Sequence, residues 1–253
     1  MIGDIAVNIL ASIIIFVCGY IFKSIIELYK LRPLHMFWKK FTKDSEQVYL
    51  IFSTTPTFNK DIKEYQKNTV AIAAVLGMAE LIGMFKTNFK QVPIIPYPES
   101  EFSSRNVGHN LICMGGPPTN RISHLINEKL HEIVHMKDNH LAIKNGDLYS
   151  SVIINDSIKE DFGFILVTKN PFSAKHYVCW FAGIFAYGTQ AAIKACTLRY
   201  ISETFTHIRK IDSFLVIVKC SVVDDFASEP EIVKVYNFLE FSDKVDEDIE
   251  TSV

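Results

Sequence analysis

Charged residues are absent from Ile5 to Phe22, IAVNILASIIIFVCGYIF, and apolar character resumes at Ile25 and Ile26 after Lys23. A helix of roughly 18–22 residues at about 1.5 Å each covers roughly 27–33 Å, close to the bilayer's hydrocarbon thickness of about 30 Å. The pattern predicts one transmembrane anchor over residues 1–27. A cleaved signal peptide would begin with positive charge and end on small residues, whereas Asp4 precedes this run and Tyr20-Ile21-Phe22-Lys23 closes it. Lys23, Lys30, Arg32, Lys39, Lys40 and Lys43 follow it with no Lys or Arg ahead, which places the N-terminus outside and the rest in the cytoplasm. Residues 28–46 then read as a basic juxtamembrane linker, with Tyr29, Phe37, Trp38 and Phe41 suited to the headgroup layer.

Beyond the linker, short continuous apolar runs alternate with helical spacing. Gln47 to Ser53 reads as a buried strand ending in Thr54-Thr55-Pro56, and Asn68 to Phe85 as a helix. Val92 to Tyr97, broken by Pro93 and Pro96, suits a sheet edge. Asn110 to Met114 is the continuous run of a strand covered on both faces. It leads through Gly115-Gly116-Pro117-Pro118-Thr119-Asn120 into a helix over Ile122 to Leu130. From Ile133 to Ile154 short alternating segments flank Asn145-Gly146, a type I′ hairpin signal, and predict a β-meander. Strands follow at Asp161 to Val167, His176 to Ala182 and Phe214 to Val223, with a helix over Gln190 to Phe205. The apolar run Tyr177 to Ala192 is thus a strand and a helix rather than a second span. The order predicts an α/β body over 47–239: a mixed, mostly parallel, Rossmann-like sheet in three layers, with helices on both faces and a β-meander insertion. Residues 240–253 read as an acidic tail.

Composition narrows the function. With 49% apolar and 21% charged residues the 253-residue chain has material for a core, and a net charge of −2 argues against a nucleic-acid partner. Cys113, Cys179, Cys196 and Cys220 sit in apolar runs without CxxC spacing, as reduced core thiols do. His131-Glu132-Ile133-Val134-His135 matches the zincin pattern His-Glu-x-x-His, which needs both imidazoles on one helical face and a third ligand, for which Glu160 or Asp161 would serve. The alternation of Ile133 and Val134 favours a strand bordered by two surface histidines, so no metal is expected.

Ligands of open α/β sheets bind beyond the carboxyl ends of strands, where helices begin. Three such loops stand out: Ser53-Thr54-Thr55, Gly115 to Asn120, and Gly183 to Thr189. Glycine lets backbone approach a ligand, and helix starts offer N–H groups and partial positive charge. The expected cradle is Ser53, Thr54, Gly115, Gly116, Asn120, Gly188 and Thr189, and the expected ligand a nucleotide-like or other anionic small molecule. No GxGxxG, GxxxxGK[ST] or GxSxG occurs, so no particular cofactor is implied. If the pocket catalyses, the candidate acids are Glu80, Glu160 and Asp161. Three functions follow: a bilayer-tethered sensor or effector able to report by homo-oligomerisation, a nucleotide-processing hydrolase of the N-glycosidase type, or a ligand-free membrane scaffold.

Overall fold

A computed structural model describes residues 2–59, 64–208, 211–224 and 226–238, with the side chains of 2–12 and 55–69 outside that description. The acidic tail, 240–253, also lies outside it. The elements are α1 (Ile2–Thr42), β1 (Val48–Phe52), β2 (Thr55–Asn59), β3 (Glu64–Thr69), α2 (Ile72–Asn88), β4 (Ile94–Pro98), β5 (Leu111–Met114), α3 (Arg121–Lys129), β6 (Val134–Lys137), β7 (His140–Ile143), β8 (Leu148–Ser150), β9 (Val152–Ile154), β10 (Ser157–Asn170), β11 (Ser173–Gly183), α4 (Ala186–Ala195), α5 (Ile201–Ile208), β12 (Phe214–Val223), β13 (Phe226–Ala227) and β14 (Glu231–Asn237).

The main sheet runs β4-β1-β5-β11-β10-β12, with β13 and β14 both pairing β12 and β9 pairing β10. Its first four strands are parallel, Tyr49 and Val178 both standing opposite Leu111. From β11 onward the pairing is antiparallel, because only Pro171 and Phe172 separate β10 from β11 and two residues cannot carry a crossover. The expectation of a mostly parallel sheet is corrected accordingly: three of its strand pairings are parallel and five are antiparallel.

Side chains alternate across this sheet as the pleat requires. Leu50, Ile112, Val167, Phe181 and Val216 face a layer built from α2, α4 and α5, while Ile51, Cys113, Leu166, Trp180 and Ile217 face α3 and the three-stranded meander β6-β7-β8. Burial pushes the Cys113, Cys179 and Cys196 thiols up, as expected of inert core cysteines, and Cys220 is pushed up to about 12.

The largest difference from the sequence reading concerns the linker. α1 continues to Thr42, and Leu34, Phe37, Trp38 and Phe41 are buried in the layer over the sheet, not placed at a headgroup surface. Trp38 is fully buried, packs edge-on against Phe41 and Phe85, and donates from Nε1 to the Cys196 carbonyl at 3.2 Å. Only Tyr29 of the four aromatics is exposed. Among the described residues no helix is long and apolar enough to cross a membrane; the side chains of 5–12, the start of the expected span, lie outside the description. From Ile13 to Phe22 the α1 side chains Ile13, Ile14, Ile15, Phe16, Tyr20 and Phe22 are exposed.

Smaller differences have local causes. The helix expected over Gln190 to Phe205 is broken after Ala195: the Cys196 and Thr197 amides and the Thr197 hydroxyl fold back onto Ile193 and Lys194 carbonyls. Of Asn145-Gly146, only Gly146 is left-handed (φ 98°), so that turn is not type I′. Both central residues are left-handed instead at Asp138-Asn139 and Asn155-Asp156, the two-residue loops joining β6 to β7 and β9 to β10. His131 follows the end of α3, has φ 58°, and His135 lies in β6, so the two imidazoles share no helical face.

The meander is fastened to β14 through one carboxylate. Asp147 accepts from Lys234 Nζ at 2.6 Å and from the Tyr236 hydroxyl, which also meets the Tyr149 hydroxyl at 2.6 Å. The Lys234 and Tyr236 hydrogen bonds hold the Asp147 carboxyl below its ordinary 3.8. A carboxyl depressed on folding contributes stability above its unfolded pKa and loses it as pH falls through the folded value. Melting followed from pH 5 to pH 2 is therefore expected to show a loss below about 4 in the wild type, and a shallower one in Asp147→Asn. Identical slopes would contradict this role.

Candidate functional site

The carboxyl ends of β1, β5 and β11 open onto one cavity of about 520 Å³. Its wall includes Ser53, Gly115, Gly116, Thr119, Gly183 and Thr189, so the loops singled out in the sequence meet at one place. Phe52, Met114, Ile184 and Phe185 supply apolar surface, and Met136 to His140 of the meander close one side.

The turn after β5 requires glycine. Gly115 has φ 107°, and a Cβ there would stand 1.8 Å from Ser53 Oγ. Ser53 Oγ donates to the Met114 carbonyl at 3.0 Å and lies 3.3 Å from Thr119 Oγ1, placing two hydroxyls side by side on the cavity wall. Trp180 Nε1 donates to the Gly115 carbonyl at 2.8 Å and fixes the turn from below. Gly116 meets Met136: a Cβ there would lie 2.6 Å from its sulfur, the movable end of a flexible side chain.

The turn after β11 is held differently. Asp161, in β10, has 0% exposed surface and accepts from Ser151 Oγ at 2.7 Å and from the amides of Phe162, Phe185 and Gly188. Its carboxyl fills the start of α4 from within the fold. Burial raises its carboxyl above the ordinary value, opposed by the Ser151, Gly188, Phe185 and Phe162 hydrogen bonds. The helix start sits directly on the sheet backbone: a Cβ on Gly188 would be 2.2 Å from the Phe162 carbonyl oxygen, and one on Gly163 would be 2.1 Å from the Gly188 oxygen. Gly183 is equally tight, 2.3 Å from the Thr189 nitrogen.

Two parts of the expected anion cradle have partners within the fold. The Phe185 and Gly188 amides are taken by Asp161, and Gly188 serves close packing rather than the cavity wall. Asn120 is 1% exposed and caps α3, accepting from the Ile122 and Ser123 amides and donating to the Met114 carbonyl at 3.0 Å. Thr54 lies in an adjoining groove with Glu99, Arg121 and His124. The acids do not converge. Glu80 lines a groove between Lys194 and Arg199, and Glu160 stands 3.9 Å from Lys219. Among the described residues the carboxylate lining the cavity is Asp138.

Sequence reading missed the meander wall. The only available signal for the wall was Asp138-Asn139, whose tolerance of left-handed backbone marks a tight hairpin. No model of a known protein family matches the chain, and no curated protein resembles it.

Proposed function

We propose that this protein is a membrane-tethered sensor or effector whose Rossmann-like body binds a nucleotide-like or other anionic small molecule in the cavity at Ser53, Gly115 and Gly183. The observation that carries the reading is topological. The chain leaves β1 for β4 on one side and comes back for β5 on the other, with α2 and α3 on opposite faces, and the cavity lies beyond the carboxyl ends at that reversal. Its volume falls within the range of about 300–1,000 Å³ usual for small-molecule sites. Ser53 and Thr119 hydroxyls orient polar groups of the ligand, and Phe52 and Phe185 offer faces for a base. The exposed apolar stretch of α1, preceded by the uncharged residues from Ile5, serves as the single anchor, with the body on the cytoplasmic side. The acids expected from the sequence, Glu80, Glu160 and Asp161, have other partners, and the carboxylate at the cavity, Asp138, stands 3.9 Å from Lys137, so a sensor is the first reading and an N-glycosidase would have to work through Asp138.

The test uses the full chain in detergent with nucleoside mono-, di- and triphosphates and dinucleotides, read by thermal shift and by product analysis. A shift without product supports the sensor, and product formation supports the hydrolase. No shift with any of them overturns the nucleotide reading. In Gly116→Val the new side chain displaces Met136 into the cavity, so affinity should fall at least about tenfold while melting stays within a few degrees. Unchanged affinity in that variant would put the ligand elsewhere.

A further inference from the structure

Arg32, His35, Met36 and Lys39 recur at the spacing of one helical face on α1. With Thr87 to Val92, at the end of α2 and the turn beyond it, they wall a second cavity of about 530 Å³. Four basic side chains, Arg32, His35, Lys39 and Lys90, line it together with no acid. All four are exposed, and the ion pairs among the described residues are made by other cations. Lys86 in its last turn already complements the carboxyl end of α2, so Arg32 and Lys39, contributed by another helix, exceed what that dipole needs. Like charges gathered at a concavity repel one another until an anion enters.

Position identifies the anion. Ile26 is the last apolar residue of the expected anchor, and Arg32 follows six residues on, about 9 Å along the axis, with its side chain tilted back toward the helix N-terminus. The headgroup layer is about 5–8 Å deep on each side of the hydrocarbon, so the Arg32 guanidinium, reaching back along α1 from the cavity's membrane-proximal wall, enters it when α1 spans the bilayer. We propose that this cavity holds the phosphate-bearing headgroup of an anionic membrane lipid, with Arg32 and Lys90 as its principal partners. The assignment rests on the reading of α1 as the anchor.

The experiment titrates the detergent-solubilised full chain with dioctanoyl phosphatidylglycerol, dioctanoyl phosphatidylcholine and inorganic phosphate, read by thermal shift. The glycerol lipid is expected to stabilise the wild type at concentrations at least tenfold lower than the choline lipid. The Arg32→Gln/Lys90→Gln double variant, at exposed positions that leave the fold intact, should lose that difference. Lys23→Gln/Lys30→Gln should keep it. Equal response to the two lipids, or equal loss in both double variants, overturns the cavity and leaves only diffuse surface charge. If inorganic phosphate matches the glycerol lipid at the same concentration, the site takes a soluble anion and the lipid assignment falls. Alkaline carbonate extraction of membranes from cells making the full chain tests the anchor separately: release of the protein would overturn the span, and the lipid source with it, whatever the titration reads at the cavity.

Discussion

Trp38→Ala is expected to destabilise the protein by about 4 kcal/mol, the usual cost of emptying a large buried aromatic site. For a body of this size that lowers the melting midpoint by on the order of 12 °C. The indole is fully buried, touches rings from α1, α2 and β11, and its N–H is bonded to the carbonyl that closes α4. Trp38→Phe keeps most of the ring volume and loses that hydrogen bond, so it should cost about 1 kcal/mol. Urea denaturation of the two variants separates packing from hydrogen bonding. A Trp38→Ala protein within about 1 kcal/mol of wild type would mean that the end of α1 is not part of the core. The same packing says where the chain can be shortened: removal of residues 1–46 takes four core side chains with it, and removal of 1–29 takes none of them.

Asp161→Ala is expected to cost about 4 kcal/mol, because it strands the amides of Phe162, Phe185 and Gly188 and the Ser151 hydroxyl in a dry environment. Asp161→Asn retains one acceptor but turns an amide NH2 toward N–H donors, and about 2 kcal/mol is expected. Thermal melts check both, and hydrogen exchange at the first turn of α4 should accelerate ahead of the rest of the sheet. Protection unchanged in Asp161→Ala would show that the close contacts of Gly163, Gly183 and Gly188 hold the turn without the carboxylate. The pH behaviour distinguishes this group from Asp147. A carboxyl raised on folding gives stability that is full below its unfolded value near 3.8 and is lost as pH rises through the folded value. Asp161 therefore opposes acid destabilisation and Asp147 drives it.

The parallel half of the sheet and its meander are legible in the sequence because each strand there is a short apolar run bounded by Gly, Pro or Asn, and each following helix has its own period. The convergence of Ser53, Gly115 and Gly183 follows from that alternation alone, since parallel strands put their carboxyl ends on one side. Three things could not be read. Trp38 and Phe41 sit among lysines, where local composition suits a lipid surface equally well, and only the tertiary arrangement decides between surface and core. β10 and β11 are each long enough for either direction of pairing, and the chain reversal at Pro171-Phe172 has no Gly or Asn-Gly signature. Asp161 precedes an apolar strand like any surface acid, and its partners Ser151 and Gly188 are distant in sequence, so the filled helix start is invisible before folding.

The unbroken course of α1 makes it a lever. Its fulcrum is the indole joined to the carbonyl that closes α4, while the opposite end of α4 borders the cavity beyond β11. From Trp38 to Ile13 the arm is about 37 Å long, with Pro33 inside it interrupting the backbone hydrogen-bond ladder, so a swing of roughly 5° at the indole or at Pro33 carries the far end about 3 Å sideways. A small displacement at the buried indole is thus magnified at the exposed end of the helix.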